Sequence, residues 1–147
     1  MATYNISFIG AGNVAESLAT GLAAAGHRIL SVASRNGLTA SGLAAATGAE
    51  YRHDLVIPDE CDLLLICVSD AAVEQVASSA TVHTGTVIAH TAGSIPLEAL
   101  GRSKGAGVLY PLQTFTKGFP PDLGKVPFFV EATDSHAMEV LRNTGES

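Results

Sequence analysis

At 147 residues, with 47% hydrophobic and 15% charged side chains, the chain is the size of one domain with an ordinary core, which excludes a disordered polymer. The net charge of −6 argues against nucleic acid or an anionic membrane as the main partner, since both favour a basic face, but leaves room for a phosphorylated small molecule held by backbone N–H groups and a local arginine. No apolar run approaches the roughly 20 residues of a membrane span, Met1-Ala2-Thr3-Tyr4 does not resemble a signal peptide, and Cys61 and Cys67 form neither a C-x-x-C pair nor half a zinc site, so a cytoplasmic chain is expected.

Apolar runs alternate with Ala-rich stretches along the sequence, the pattern of βαβ units and a mainly parallel sheet. The first strand is expected at Asn5 to Ile9, followed by a helix from Asn13 to Ala25 with Val14, Leu18, Leu22 and Ala25 on one face and Gly26 as its stop. A second strand follows at Arg28 to Ala33. An Ala-rich helix then ends at Gly48, with a short third strand over Ala49 to Tyr51. Asp62 to Val68 is almost continuously apolar, as a central strand covered on both faces must be, and it makes Cys67 a buried, inert thiol. Asp70 is the expected N-cap of a helix over Ala71 to Ser79. A strand at Thr86 to His90 and a short helix at Pro96 to Leu100, with proline in its first turn, come next. Ala106 to Tyr110 and Pro127 to Ala132 complete the strands, separated by the loop Pro111 to Val126. The expected fold class is α/β: a Rossmann-like, doubly wound, mainly parallel sheet with helices on both faces, over residues 1–133. Residues 134–147 start a further helix, read as the beginning of a truncated C-terminal region.

Between the first strand and helix lies Gly10-Ala11-Gly12-Asn13-Val14-Ala15, a G-x-G-x-x-A turn. Gly10 permits the tight turn, Gly12 lets backbone approach a pyrophosphate, and Ala15 lets the helix pack closely on the sheet. The pyrophosphate then meets the free N–H groups at the positive end of the helix. An NAD-selective site carries an acid about 20 residues on, at the end of the second strand. Here Ser34-Arg35-Asn36 stands instead. A carboxylate would repel a 2′-phosphate, whereas Arg35 can pair with it and Ser34 and Asn36 can donate to it. The expected cofactor is therefore NADP.

Phe8-Ile9-Gly10-Ala11-Gly12-Asn13-Val14-Ala15 with Ser34-Arg35 resembles the nucleotide-binding domain of pyrroline-5-carboxylate reductases and coenzyme F420-dependent NADP oxidoreductases. His90-Thr91-Ala92-Gly93-Ser94 and Tyr110-Pro111-Leu112-Gln113-Thr114-Phe115 resemble the branch of that group carrying the C-terminal domain DUF2520, with Ala92 in place of the usual Ser and Tyr110 in place of the usual His. The resemblance implies that Val68, Ser69 and Ala72 lie along the cofactor. It also implies a helical C-terminal domain that completes the substrate site and commonly the dimer, and this chain ends before such a domain.

Ligands of doubly wound sheets lie over the C-terminal strand ends, so Ser69-Asp70 and His90-Thr91 should border the nicotinamide. Two readings of His90 stand: a proton donor or substrate-orienting group, or a strand cap bonded to nearby backbone. Thr91, Gln113 and Thr114 are the substrate-side candidates, the last two either reaching the crevice or only holding their loop. His27, His53, His83 and His136 show no metal-ligand spacing and read as surface residues, so no metal is expected. The leading function is hydride transfer between NADP(H) and a small organic substrate or a deazaflavin. The alternative is an NADP(H)-binding regulatory or partner-dependent module without turnover of its own. Apolar surface where a further domain would dock favours self-association as a homodimer.

Overall fold

The structure, a computed structural model, describes residues 2–119 and 121–147; Met1, at the expected domain start, and Pro120, in the expected loop 111–126, lie outside the described residues. Seven strands form one sheet in the order β3-β2-β1-β4-β5-β6-β7. They are β1 (Asn5–Ile9), β2 (Arg28–Ala33), β3 (Glu50–Arg52), β4 (Leu63–Ile66), β5 (Val87–His90), β6 (Ala106–Pro111) and β7 (Phe128–Ala132). All neighbours pair in parallel except β6 and β7, which are antiparallel. The helices are α1 (Asn13–Ala24), α2 (Gly37–Thr47), α3 (Val73–Ser79) and α4 (Ser135–Gly145).

The four residues of β4 show how the sequence sets the layers. Leu63, Leu64, Leu65 and Ile66 are all buried, with Leu63 and Leu65 in one core and Leu64 and Ile66 in the other. Successive side chains point to opposite faces, so an unbroken apolar run places a central strand between two layers. Each buried aliphatic contributes about 1.5–3 kcal/mol. On one face lie α1, α2 and α4, through residues such as Leu18, Leu43 and Leu141. On the other lie α3, through Val73, and a 3-10 turn at Leu97–Leu100.

Several local expectations are corrected. The buried face of α1 is Ala15, Ser17, Leu18, Ala19 and Leu22, with Val14 and Ala25 only partly buried, so the face is turned by about one residue from the expected stripe. Asp70 does not cap a helix. It opens a 3-10 turn (Asp70–Ala72) and accepts the Ser94 hydroxyl at 2.8 Å, so α3 begins only at Val73. Pro96 precedes its 3-10 turn as the cap instead of entering it. His27 is buried and not a surface residue: it stacks on Tyr4 with ring centroids 5.8 Å apart, Nδ1 accepts the Tyr4 N–H, and Nε2 lies 2.6 Å from Ser147 Oγ. Burial lowers its pKa below the usual histidine range.

The final segment forms a capped helix. Asp134 accepts N–H groups from Ala137 and, across the turn, from Gly105, at 2.8 and 2.7 Å. Ala137, Val140 and Leu141 of α4 enter the same core as α1 and β6, so residues 135–145 pack as part of this unit. No helix among the described residues is long and apolar enough to cross a membrane.

Candidate functional site

The strand order reverses between β1 and β4: from β1 the chain moves outward to β2 and β3, and from β4 it moves the other way. Such a switch point leaves a crevice beyond the C-terminal strand ends, because the loops on either side part there. A cleft of about 510 Å³ occupies this position. Gly10, Ala11 and Gly12 from the β1–α1 turn line it, with Ser34 and Arg35 after β2, and Cys67, Val68, Ser69 and Ala72 after β4.

The two turn glycines have separate reasons. Gly10 has φ +112°, and a Cβ there would fall 2.1 Å from the Cys67 carbonyl oxygen. Its N–H donates to Ala33 O at 2.7 Å, which stitches the turn to β2. Only glycine fits between those constraints. Gly12 has φ −81° and extended backbone, and a Cβ there would meet no protein atom within 4 Å. The fold itself therefore does not require Gly12 to lack a side chain; the open space beside it lies at the cleft.

Helix α1 starts here without a side-chain cap. Glu16 N–H is the first to bond back, to Gly12 O at 2.9 Å, which leaves the N–H groups of Asn13, Val14 and Ala15 without intrahelical acceptors. Their partial positive charge suits an anion. The side chains of these three residues do not line the cleft: Asn13 is exposed, Val14 half-buried, and Ala15 fully buried against the sheet. What they present is backbone.

At the β2 end, Arg35 is exposed and makes no ion pair among the described residues. The Ser34 hydroxyl accepts the Asn36 N–H at 3.2 Å. Asn36 is drawn away from the cleft lining, its Oδ1 capping α2 through the Thr39 N–H at 3.2 Å. Cys67 is half-buried, not fully so, and lies on the wall; desolvation pushes its thiol up to about 12, so it stays protonated and unreactive as a nucleophile.

His90 is fully buried at the end of β5. Its Nδ1 accepts the Ala92 N–H at 3.1 Å and its Nε2 faces Pro96 O at 3.3 Å. Together these fix a neutral ring with the proton on Nε2, and burial holds its pKa below the usual value. Both nitrogens are committed to backbone, the second of the two arrangements the sequence allows. Thr91 is buried beside Cys67 and does not line the cleft, and Gln113 and Thr114 are exposed outside it. Their loop is held instead by the buried Phe115 and Leu123, and by the Gly118 N–H, which donates to Glu16 Oε1 at 3.3 Å. The two downstream motifs do meet in space. A Cβ on Gly93 would lie 2.5 Å from the Tyr110 ring, so the tyrosine rests where only glycine leaves room.

The sequence reading missed the outer wall: His53 and Leu55 beyond β3, and Gln75, Val76 and Ser79 on α3. A signal for the α3 part existed, since Ala72, Gln75, Val76 and Ser79 are spaced i, i+3, i+4 and i+7, one stripe of a helix. No group of three or more His, Cys, Asp or Glu side chains among the described residues could hold a metal ion.

Residues 5–93 match the protein family described as NADP oxidoreductase, coenzyme F420-dependent. No protein with a curated description matches the chain. Among solved structures, a provisionally described NADP oxidoreductase from Bacteroides fragilis superposes with a TM-score of 0.83 at 32% identity, over 97% of this chain and 57% of that one. Mycobacterium tuberculosis 3-hydroxyisobutyrate dehydrogenase shares the fold with a TM-score of 0.74 at 20% identity, over 99% and 52%. Coxiella burnetii pyrroline-5-carboxylate reductase does so with a TM-score of 0.72 at 19% identity, over 99% and 56%. The chain thus spans little more than half the length of these three proteins.

Proposed function

The chain belongs to the family described as NADP oxidoreductase, coenzyme F420-dependent, a pyridine-nucleotide-binding Rossmann family, and from that premise we propose that it binds NADP(H) in the cleft at the β1–β4 switch point for hydride transfer to or from a small organic substrate or a deazaflavin. One observation carries the choice of NADP: Ser34 and Arg35, with no carboxylate beside them, line the same cleft as the glycine turn. The pyrophosphate would be held by the amides of Asn13, Val14 and Ala15, which have no intrahelical acceptors, with Gly12 leaving the approach open. A 2′-phosphate would be held by Arg35 and Ser34. The nicotinamide end would lie toward Val68 and Ser69, the walls after β4. Bound nicotinamide supplies the hydride chemistry, while the chain supplies orientation and a partly dry wall.

The motifs at His90–Ser94 and Tyr110–Phe115 support the finer placement in the DUF2520 branch. In this reading residues 1–133 carry the nucleotide, and the substrate side is completed by a further domain or by a second copy in a homodimer. His90 serves to position the loop after β5 and does not exchange protons, since both its nitrogens are bonded to backbone. That same observation favours a second reading, a nucleotide-binding module whose turnover needs a partner.

Titration of the purified chain with NADPH and NADH by fluorescence tests the cofactor. NADPH is expected to bind more tightly, and equal or tighter NADH binding overturns the assignment. Following nicotinamide absorbance with imines, ketones and F420 then separates the readings: turnover favours the oxidoreductase, and binding without turnover across the panel favours the module.

A further inference from the structure

Beyond the Ser34–Arg35 pair, a third side chain stands at the same corner of the cleft. Strands β2 and β3 run parallel in the register Ser31 to Glu50, Val32 to Tyr51 and Ala33 to Arg52. The next residues, Ser34 and His53, therefore leave adjacent strand ends side by side, about 4.8 Å apart in backbone spacing. His53 is exposed, and it lines the cleft together with Ser34 and Arg35. Neighbouring Arg52 is not free to serve there, because its guanidinium is held by Glu50 at 2.8 Å and Asp54 at 3.1 Å. Asp54 in turn accepts the Val56 N–H at 3.1 Å. The stripe of Ala72, Gln75, Val76 and Ser79 that lines the cleft from the other side carries no charge. Arg35 and His53 are thus the two basic side chains that line the cleft at this corner; Asp54, close enough to His53 to feel its charge, is itself held by Arg52 and the Val56 N–H.

We infer that His53 is a second contact for the 2′-phosphate of the nucleotide and strengthens the preference for NADPH over NADH. The inference rests on the NADP(H) reading above. An imidazole N–H can donate to a phosphate oxygen while a guanidinium pairs with the same group, so His53 and Arg35 would hold it from two adjacent strand ends. NADH, which lacks the phosphate, gains nothing from either.

The test is the dissociation constant of NADPH and of NADH, by fluorescence titration, for the wild type, His53→Ala and His53→Gln. The exposed position lets the variants fold, and thermal unfolding without nucleotide checks that. His53→Ala should lose about two- to fivefold of the NADPH preference, the size of an exposed polar or ionic contact, and His53→Gln, whose amide still donates, should lose less. An unchanged NADPH preference in His53→Ala overturns the inference and leaves the NADP reading standing. An equal loss for both nucleotides also overturns it, by making His53 an adenine contact. A wild type with no NADPH preference overturns the NADP reading and this inference with it.

Discussion

Gly10 and Gly12 stand two residues apart, and substituting each in turn separates folding from binding. At Gly10, any side chain brings the strain of a positive φ, about 1–3 kcal/mol, and a Cβ placed 2.1 Å from the Cys67 carbonyl oxygen. Neither wall can yield cheaply, because Gly10 N–H is tied to Ala33 O at 2.7 Å and Cys67 N–H to Ile9 O at 2.8 Å. Forcing the extra atom in costs a further 1–3 kcal/mol or so, and Gly10→Ala is expected to lose about 2–6 kcal/mol of a stability of roughly 5–15 kcal/mol. At Gly12 the backbone is extended at φ −81°, and an added Cβ meets nothing within 4 Å. Gly12→Val should therefore stay within about 1 kcal/mol of the wild type, the difference between glycine and valine as a helix cap. The same side chain stands where a pyrophosphate must approach the amides of Asn13 to Ala15. One amide–phosphate bond lost is about 1.5–3 kcal/mol, or roughly 10- to 150-fold in affinity. Denaturant unfolding without nucleotide, followed by NADPH titration, reads both quantities. A Gly12→Val protein that binds NADPH like the wild type refutes the argument, because the phosphates would then lie elsewhere.

Reversing the charge at Arg35 should discriminate between nucleotides: Arg35→Glu is expected to weaken NADPH binding by at least about tenfold with little change for NADH, and an equal loss for both removes Arg35 from the phosphate. Stability should fall as the solution is acidified. His27 and His90 are held below their usual pKa, mainly by burial, so the unfolded chain takes up protons first; their contribution is complete above about pH 6.5 and is lost as pH falls toward the lowered folded values. Unfolding midpoints between pH 7.5 and 5 measure this, and His27→Gln should flatten part of the slope. Asp134→Ala should cost about 1–2 kcal/mol, since one carboxylate caps α4 and also receives the Gly105 N–H. Asp134→Asn should recover part of that, and a loss confined to α4 fraying without any shift in global unfolding contradicts the bridging role.

The inner elements were legible because their determinants are local. Asn5 to Ile9 and Arg28 to Ala33 stand as strands with the expected bounds, and Gly48 closes α2 in the left-handed conformation at φ +76°. The glycine turn was legible for the same reason, as its meaning lies in six consecutive residues. What escaped depended on distant partners. His27 reads as a polar residue after a glycine stop, but its burial is set by Tyr4, 23 positions away, and Ser147, 120 positions away. Asp70 reads as a cap, but its acceptor is used by Ser94, 24 positions on. The antiparallel direction of β7 depends on its pairing with β6, and its alternation of half-buried and exposed residues is that of an edge strand. His53 reads as a surface residue, and it is exposed; only the pairing of β3 with β2 brings it to the corner beside Ser34.

The joining of Tyr4 to Asn143 at 2.9 Å, and of His27 to Ser147 at 2.6 Å, has a practical side. Tyr4 and His27 precede β1 and β2, so this seam lies at the pole of the sheet opposite the cleft. A tether placed at either end of these residues leaves the mouth of the cleft facing outward, and a surface-immobilised protein should keep its full nucleotide capacity.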